Sequence, residues 1–212
     1  MRKPLLLAAL LLLASLPMPG AEEKPEAVAT PDRKALQGTP IQVDGEMVRF
    51  ASGGILVQVR FLPESDRASY FRHRTRLGVD PFPPAEAYPE GFTVFEVSFL
   101  NGSKQDFEFS PVMASIGRGG GFDLFPFDIG TLYSYFIQVF RGDEKAVEQA
   151  LEAVYTRTVY LRPGERTSQL LVFEALPRHM RRFTLELDAF HIGSTSQDLA
   201  VPFRVLRGSG RR

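Results

Sequence analysis

The chain contains no cysteine. That absence removes structural disulfides, thiolate metal ligands and the residue to which a bacterial lipid anchor is attached. Stability therefore has to come from a buried core, and 212 residues suffice for one. Net charge is lacking as well. The 25 Lys and Arg are matched by 25 Asp and Glu, which leaves no electrostatic footprint for nucleic acid. The apolar run at the N-terminus is short of the roughly 20 residues that a membrane-spanning helix requires, which leaves a retained membrane anchor as the lesser reading of it, and no other segment is long and apolar enough to span. His73, His179 and His191 stand far apart, so no pair of metal ligands sits three or four positions apart on a helix. There is no GxSxG elbow, no Gly-Lys-Ser/Thr phosphate loop and no DxDxDG calcium loop. The run "IGRGGGFD" at 116–123 has no lysine behind it and reads as a glycine turn between strands. No residue is nominated as catalytic, cofactor-binding or metal-binding, and no cofactor is expected.

What is present begins with an address. "MRKPLLLAALLLLASLPMPGA" sets Arg2 and Lys3 before an unbroken apolar run from Leu5 to Leu13, followed by small residues. These are the parts of a secretory signal peptide, residues 1–21, with cleavage expected after Ala21. The expected product is periplasmic or secreted and bacterial, with no stable membrane anchor after cleavage. Residues 22–40 are polar, hold three prolines and show no apolar period, so they read as a flexible leader. A single domain is expected over 41–206, and "RGSGRR" at 207–212 as a solvated basic tail.

The domain is written mainly in a two-residue rhythm. Phe95, Val97 and Phe99 alternate with Glu96 and Ser98, and Phe107 and Phe109 flank Glu108. A strand throws successive side chains to opposite faces, so one face is buried and the other wet. "NGSKQD" between the two runs predicts a turn, and the runs are expected to pair as a hairpin. Phe183, Leu185, Leu187 and Ala189 alternate with Thr184, Glu186 and Asp188; Leu199, Val201, Phe203 and Val205 do the same around Pro202. A proline cannot donate to a ladder, which predicts an edge strand or a bulge there. "TSQLLVFE" behind the "RPGE" turn predicts a strand buried on both faces. "TRTVYL" and a hairpin of "GEMVRF" with "GGILVQVRF" complete seven or eight strands. The expected fold is mainly β: a two-layer antiparallel sandwich.

Helices interrupt it. "DEKAVEQALEAV" places Val147, Ala150, Leu151 and Val154 on one face, with Asp143 as N-cap. "TLYSYFIQVF" is apolar nearly all round, so a helical insert is expected over about 128–154. A short helix is expected within 66–77, inside a connection from 62 to 91 long enough for a binding element or lid.

Four features carry competing readings. Glu186 with Asp188, and Asp123 with Asp128, are candidate acid pairs for a hydrolase, or simply the wet side of strands and loops. "RGD" at 141–143 is an adhesion signal or a helix cap, and "NGS" at 101–103 a glycosylation site or a turn. "FDLFPFDIGTLYSYFIQVF" at 122–140 has five phenylalanines and two tyrosines. It either caps the open end of the sandwich or exposes an aromatic surface that docks a partner.

The runs "VFEVSFLNGS", "LRPGERTSQLLVFEALP" and "FTLELDAF" resemble the small immunoglobulin-like domains of bacterial secreted proteins and lipoproteins, over residues 90–206. That resemblance implies an immunoglobulin-like sandwich and no catalytic residues. The chain departs from it in lacking the lipid-attachment cysteine and in carrying the helical insert. The expectation is an exported, non-catalytic binding or scaffold protein of the cell envelope with protein partners. Its working surface would be a free sheet edge or the aromatic insert. The alternatives are a carboxylate-dependent hydrolase and a carrier of a hydrophobic ligand held between the sheets and the insert.

Overall fold

The computed structural model describes residues 27–75, 77–84, 88–117 and 123–207, and in it the alternating segments form two antiparallel sheets. The first contains β1 (Ala27–Pro31), β6 (Phe107–Phe109), β7 (Ala114–Gly117), β8 (Asp123–Leu124), β9 (Val159–Leu161), β11 (Arg182–Ile192) and β12 (Thr195–Arg207). The second contains β2 (Gln42–Asp44), β3 (Met47–Ser52), β4 (Ile55–Phe61), β5 (Phe92–Asn101) and β10 (Arg166–Glu174), in the order β10-β5-β4-β3-β2. Helices α1 (Glu64–Arg74), α2 (Ile129–Val139) and α3 (Glu144–Glu152) lie outside the second sheet. The strands beyond those expected are β1, β2, β7 and β8, which have two to five residues each and leave little room for a period to show. The expected signal peptide and the end of the basic tail lie outside the described residues.

The phenylalanines fill the space between the sheets. Phe95 meets Phe203 and Phe183 at ring separations of 5.2 and 6.0 Å, and Phe99 meets Phe107 and Phe109 at 4.9 and 4.8 Å. Each of these pairs joins the second sheet to the first, so the core is made of side chains contributed by both inner faces. Tyr155 is buried among them and donates its hydroxyl to the Val97 carbonyl at 2.9 Å; burial raises its pKa well above the usual phenol value. The space between the two sheets is a packed core.

A second apolar layer lies on the far side of β5 and β10. Phe92, Val94, Leu170 and Val172 face Phe71, Phe82, Leu132, Phe136, Val147 and Ala150 from the helices and the 62–91 connection. That connection acts as a cover. Its Phe82 is fully buried against Phe136, Phe92 and Phe71 at 5.4, 5.6 and 5.8 Å. α3 begins where Asp143 accepts from the Ala146 amide, as its sequence predicts.

Several expectations are corrected. β5 and β6 do not form a hairpin: β5 pairs with β4 and β10, and β6 with β11 and β9. The "NGS" corner instead carries the chain from one sheet to the other. Asn101 is wholly buried there, donating to the Leu161 and Gln105 carbonyls and accepting from Ser103, a set of bonds that leaves no room for a glycan. The leader is not wholly flexible either. Ala27–Pro31 pairs with β12, and Asp32 forms ion pairs of 2.7 and 3.8 Å with Arg204 and Arg182.

Pro202 lies in a strand flanked on both sides, not at an edge. It stands where the β1 ladder stops. Its carbonyl accepts from the Asp32 amide at 2.8 Å, and the return bond has no N–H to make it. The alternation of β11 breaks at a bulge between Leu187 and Phe190, where Ala189 has φ 49° and donates its amide to Asp198 at 2.8 Å. Phe190 and Ile192 therefore carry the buried face onward in place of Ala189.

Candidate functional site

α2 owes its position to residues on both sides of its first turn. The Phe127 amide donates to the Val172 carbonyl of β10 at 2.9 Å, which ties the approach to the second sheet. Asp128 then caps the helix, accepting from the amide and hydroxyl of Thr131 at 2.9 and 2.8 Å; the amide bond is the main reason its carboxyl lies below the usual range. Leu132, Tyr135 and Phe136 turn inward, and the Tyr135 hydroxyl donates to the Pro83 carbonyl. The opposite side of the same turns is left in water. Phe125 is 63 % exposed, Tyr133 47 % and Ile129 38 %. Ile129 and Tyr133 are four apart and share a helix face, with Phe125 preceding them. The insert therefore packs on the outer face of the second sheet instead of capping the open end of the sandwich, and it leaves a strip of Phe125, Ile129 and Tyr133 outside.

Sequence reasoning passed over Glu96 as the wet side of a strand. The structure buries it to 6 % exposure at the margin of the helical layer. Its two oxygens receive Arg60 and Arg74 at 2.8 Å each, and Ser168 donates to it at 3.1 Å while accepting from Ser98 at 2.8 Å. A polar trough of about 660 Å³ opens nearby, lined by Tyr70, His73, Arg74, Lys145, Glu148 and Ser168 among others. Burial, and after it the Glu96 charge, pushes the Tyr70 phenol up to about 12. No single-strand pattern signals this hub, because Arg74 comes from α1 and Ser168 from β10.

The candidate acids are placed as follows. Asp128 is a helix cap. Asp188 lies beside Asp198 near the β11 bulge, its carboxyl raised first by partial burial and then by that neighbour. Asp123 and Glu186 do come together on the outer face of the first sheet, where β7 runs between β8 and β11. A Cβ added to Gly117 would meet Asp123 Oδ1 at 3.1 Å and Glu186 Oε1 at 3.5 Å. The two oxygens are thus no farther than roughly 7 Å apart, so the pair is close enough to act on one bond. Ser115 donates to Glu186 at 3.3 Å. Asp123 is exposed and Glu186 half-buried, and neither lines the polar trough beside Glu96.

The remaining motifs take structural roles. "RGD" is the turn between α2 and α3, with Arg141 and Gly142 at φ 52° and 83° and Asp143 as the α3 cap. The glycine run joins β7 to β8, although residues 118–122 lie outside the described residues. His73 sits on α1, His179 in a turn and His191 on β11, and among the described residues no group of three metal-ligating side chains occurs. No described helix is long and apolar enough to cross a membrane.

No family model matches the chain, and no curated protein matches it. One solved structure, the yjhA protein from Bacillus subtilis, aligns over 72 % of this chain and 93 % of its own length at 10 % identity and a TM-score of 0.39.

Proposed function

We propose that the chain is an exported, non-catalytic binding or scaffold protein of the bacterial cell envelope, built on an immunoglobulin-like sandwich. Its working surface is the strip of Phe125, Ile129 and Tyr133, which meets a protein partner. The observation that carries this reading is the exposure of three large apolar side chains on one short segment whose inward face is packed. A protein that leaves such a group in water forgoes burial energy, which an interface recovers. The sheet edges are the weaker candidates. β2 and β9 have three residues each, and β10 is occupied by Ala153, Tyr155 and Phe127, which bond to Leu170 and Val172. Export rests on the charged and apolar pattern of residues 1–21.

Crosslinking in native envelope, followed by identification of captured proteins, tests the strip by comparing the wild type with Phe125→Ser/Tyr133→Ser. Loss of a captured protein, with folding unchanged by circular dichroism, is the expected result. Identical capture by both proteins removes the strip from the function.

Asp123 and Glu186 favour a second reading, a hydrolase of glycan or ester bonds. Chromogenic glycosides and esters test it. Turnover by the wild type that Asp123→Asn or Glu186→Gln abolishes would establish this reading in place of the first, and absence of turnover removes it.

A further inference from the structure

α2 is charged only at its ends. Residues 129–140 hold no Asp, Glu, Lys or Arg, while Asp128 caps the start of the helix and Arg141 follows its last turn. Both are exposed, and among the described residues neither belongs to an ion pair. The outward face between them sets Ile129, Tyr133 and half-buried Ile137 in one row, with exposed Gly130, Ser134 and Gln138 in the next.

Beside this face runs a groove of about 490 Å³, lined by Tyr88, Gly130, Ser134, Tyr135 and Gln138 among others. Its Tyr88 wall is held in place, with ring separations of 5.0, 5.2 and 5.7 Å to Phe92, Phe127 and Tyr135. The small side chains of Gly130 and Ser134 keep the groove open on the helix side. Next to it projects the Tyr133 ring, 47 % exposed. A surface with a ridge beside a groove, and with an acid at one end and a base at the other, is complementary to itself after a half-turn.

We infer, on the reading of the strip as a protein-binding surface, that its partner is a second copy of this chain. The two α2 helices pack antiparallel about a twofold axis near Ser134. Tyr133 of each copy enters the groove of the other, and Asp128 of each lies beside Arg141 of the other. Antiparallel packing also sets the two helix dipoles in their favourable sense. Between positions 129 and 140 there is no charge, so no like-charge contact opposes the approach.

Sedimentation velocity of the purified protein over a dilution series tests this pairing. A monomer–dimer equilibrium in the micromolar range is expected, as suits a small and partly polar interface. Tyr133→Glu sets two like charges near the axis and should weaken the dimer at least about tenfold. Arg141→Gln and Asp128→Asn, the latter keeping an N-cap, should each weaken it about threefold, and the double variant no more than either. Tyr160→Glu, at an exposed ring on β9, should leave the equilibrium unchanged. Because the chain has no cysteine, Ser134→Cys gives a second readout: a short bismaleimide should join two copies of it and should not join Tyr160→Cys. The inference is overturned by a chain that stays monomeric throughout the micromolar range, by a dimer that folded Tyr133→Glu leaves intact, or by crosslinking no stronger at Ser134→Cys than at Tyr160→Cys. If such a monomer still captures an envelope protein through the strip, the protein-binding reading stands without a self-pairing chain; if it captures none, both fall.

Discussion

On β11 the residues between the buried ones, Thr184 and Glu186, stay partly in water; on β5 the corresponding positions Phe92, Val94 and Glu96 are buried. The two strands obey the same period. They differ in what lies outside them: among the described residues no helix packs over the first sheet, whereas α1, α2, α3 and Phe82 cover the second. A period of two fixes which residues share a face, but a face becomes wet or dry only when something does or does not cover it.

The widest test of that contrast is core truncation in each layer. Phe99→Ala between the sheets and Phe136→Ala under the helices should each cost about 3–5 kcal/mol in urea unfolding. A single transition is expected for both, since β5 and β10 contribute to both layers. A two-step curve confined to Phe136→Ala would show instead that the helical layer unfolds by itself. Next in size is Glu96→Gln, which leaves Arg60 and Arg74 without their shared carboxylate but able to rehydrate. It should cost about 2 kcal/mol, whereas Glu186→Gln on the open sheet should cost well under half of that.

The two regions should also answer acid in opposite senses. Asp32, beside β1, has its pKa lowered, chiefly by the hydrogen bond from Arg204. Its contribution is present above the unfolded value of about 4 and is lost as pH falls through the lower folded value. Asp80, in the cover, has its pKa raised chiefly by burial. Its charged form costs stability above the folded value, and acidification through that value relieves the cost. Asp32→Asn should therefore flatten the acid-side loss of stability seen in urea midpoints. Asp80→Asn should steepen the net loss by removing an opposing trend. The smallest effect belongs to Phe125→Ser/Tyr133→Ser, expected to stay within about 0.5 kcal/mol because neither ring is part of a core.

The legible part of the fold was local. β3 with β4, the two-faced burial of Leu170, Leu171, Val172 and Phe173, the Asp143 cap and the inward rows of β12 follow from period and turn chemistry. The partner of each strand was less legible. Asn-Gly after β5 promises a turn equally well whether the chain returns to the same sheet or crosses to the other; the buried bonds of Asn101 to Leu161, sixty residues away, select the crossing. β1 was hidden because Ala27, Ala29 and Pro31 are weak strand formers whose order comes from lying beside β12.

The sites show the same division. Asp128 looked like half of an acid pair until Thr131 folded back onto it. Asp123 and Glu186 became neighbours only because β7 lies between β8 and β11. By itself the sequence determined most strand faces, the start of α3 and the absence of every cysteine-dependent device, since each depends on residues within a few positions of one another. The tertiary structure alone decided which faces are dry and which charges meet, because burial and pairing depend on segments that the chain brings together only when it folds.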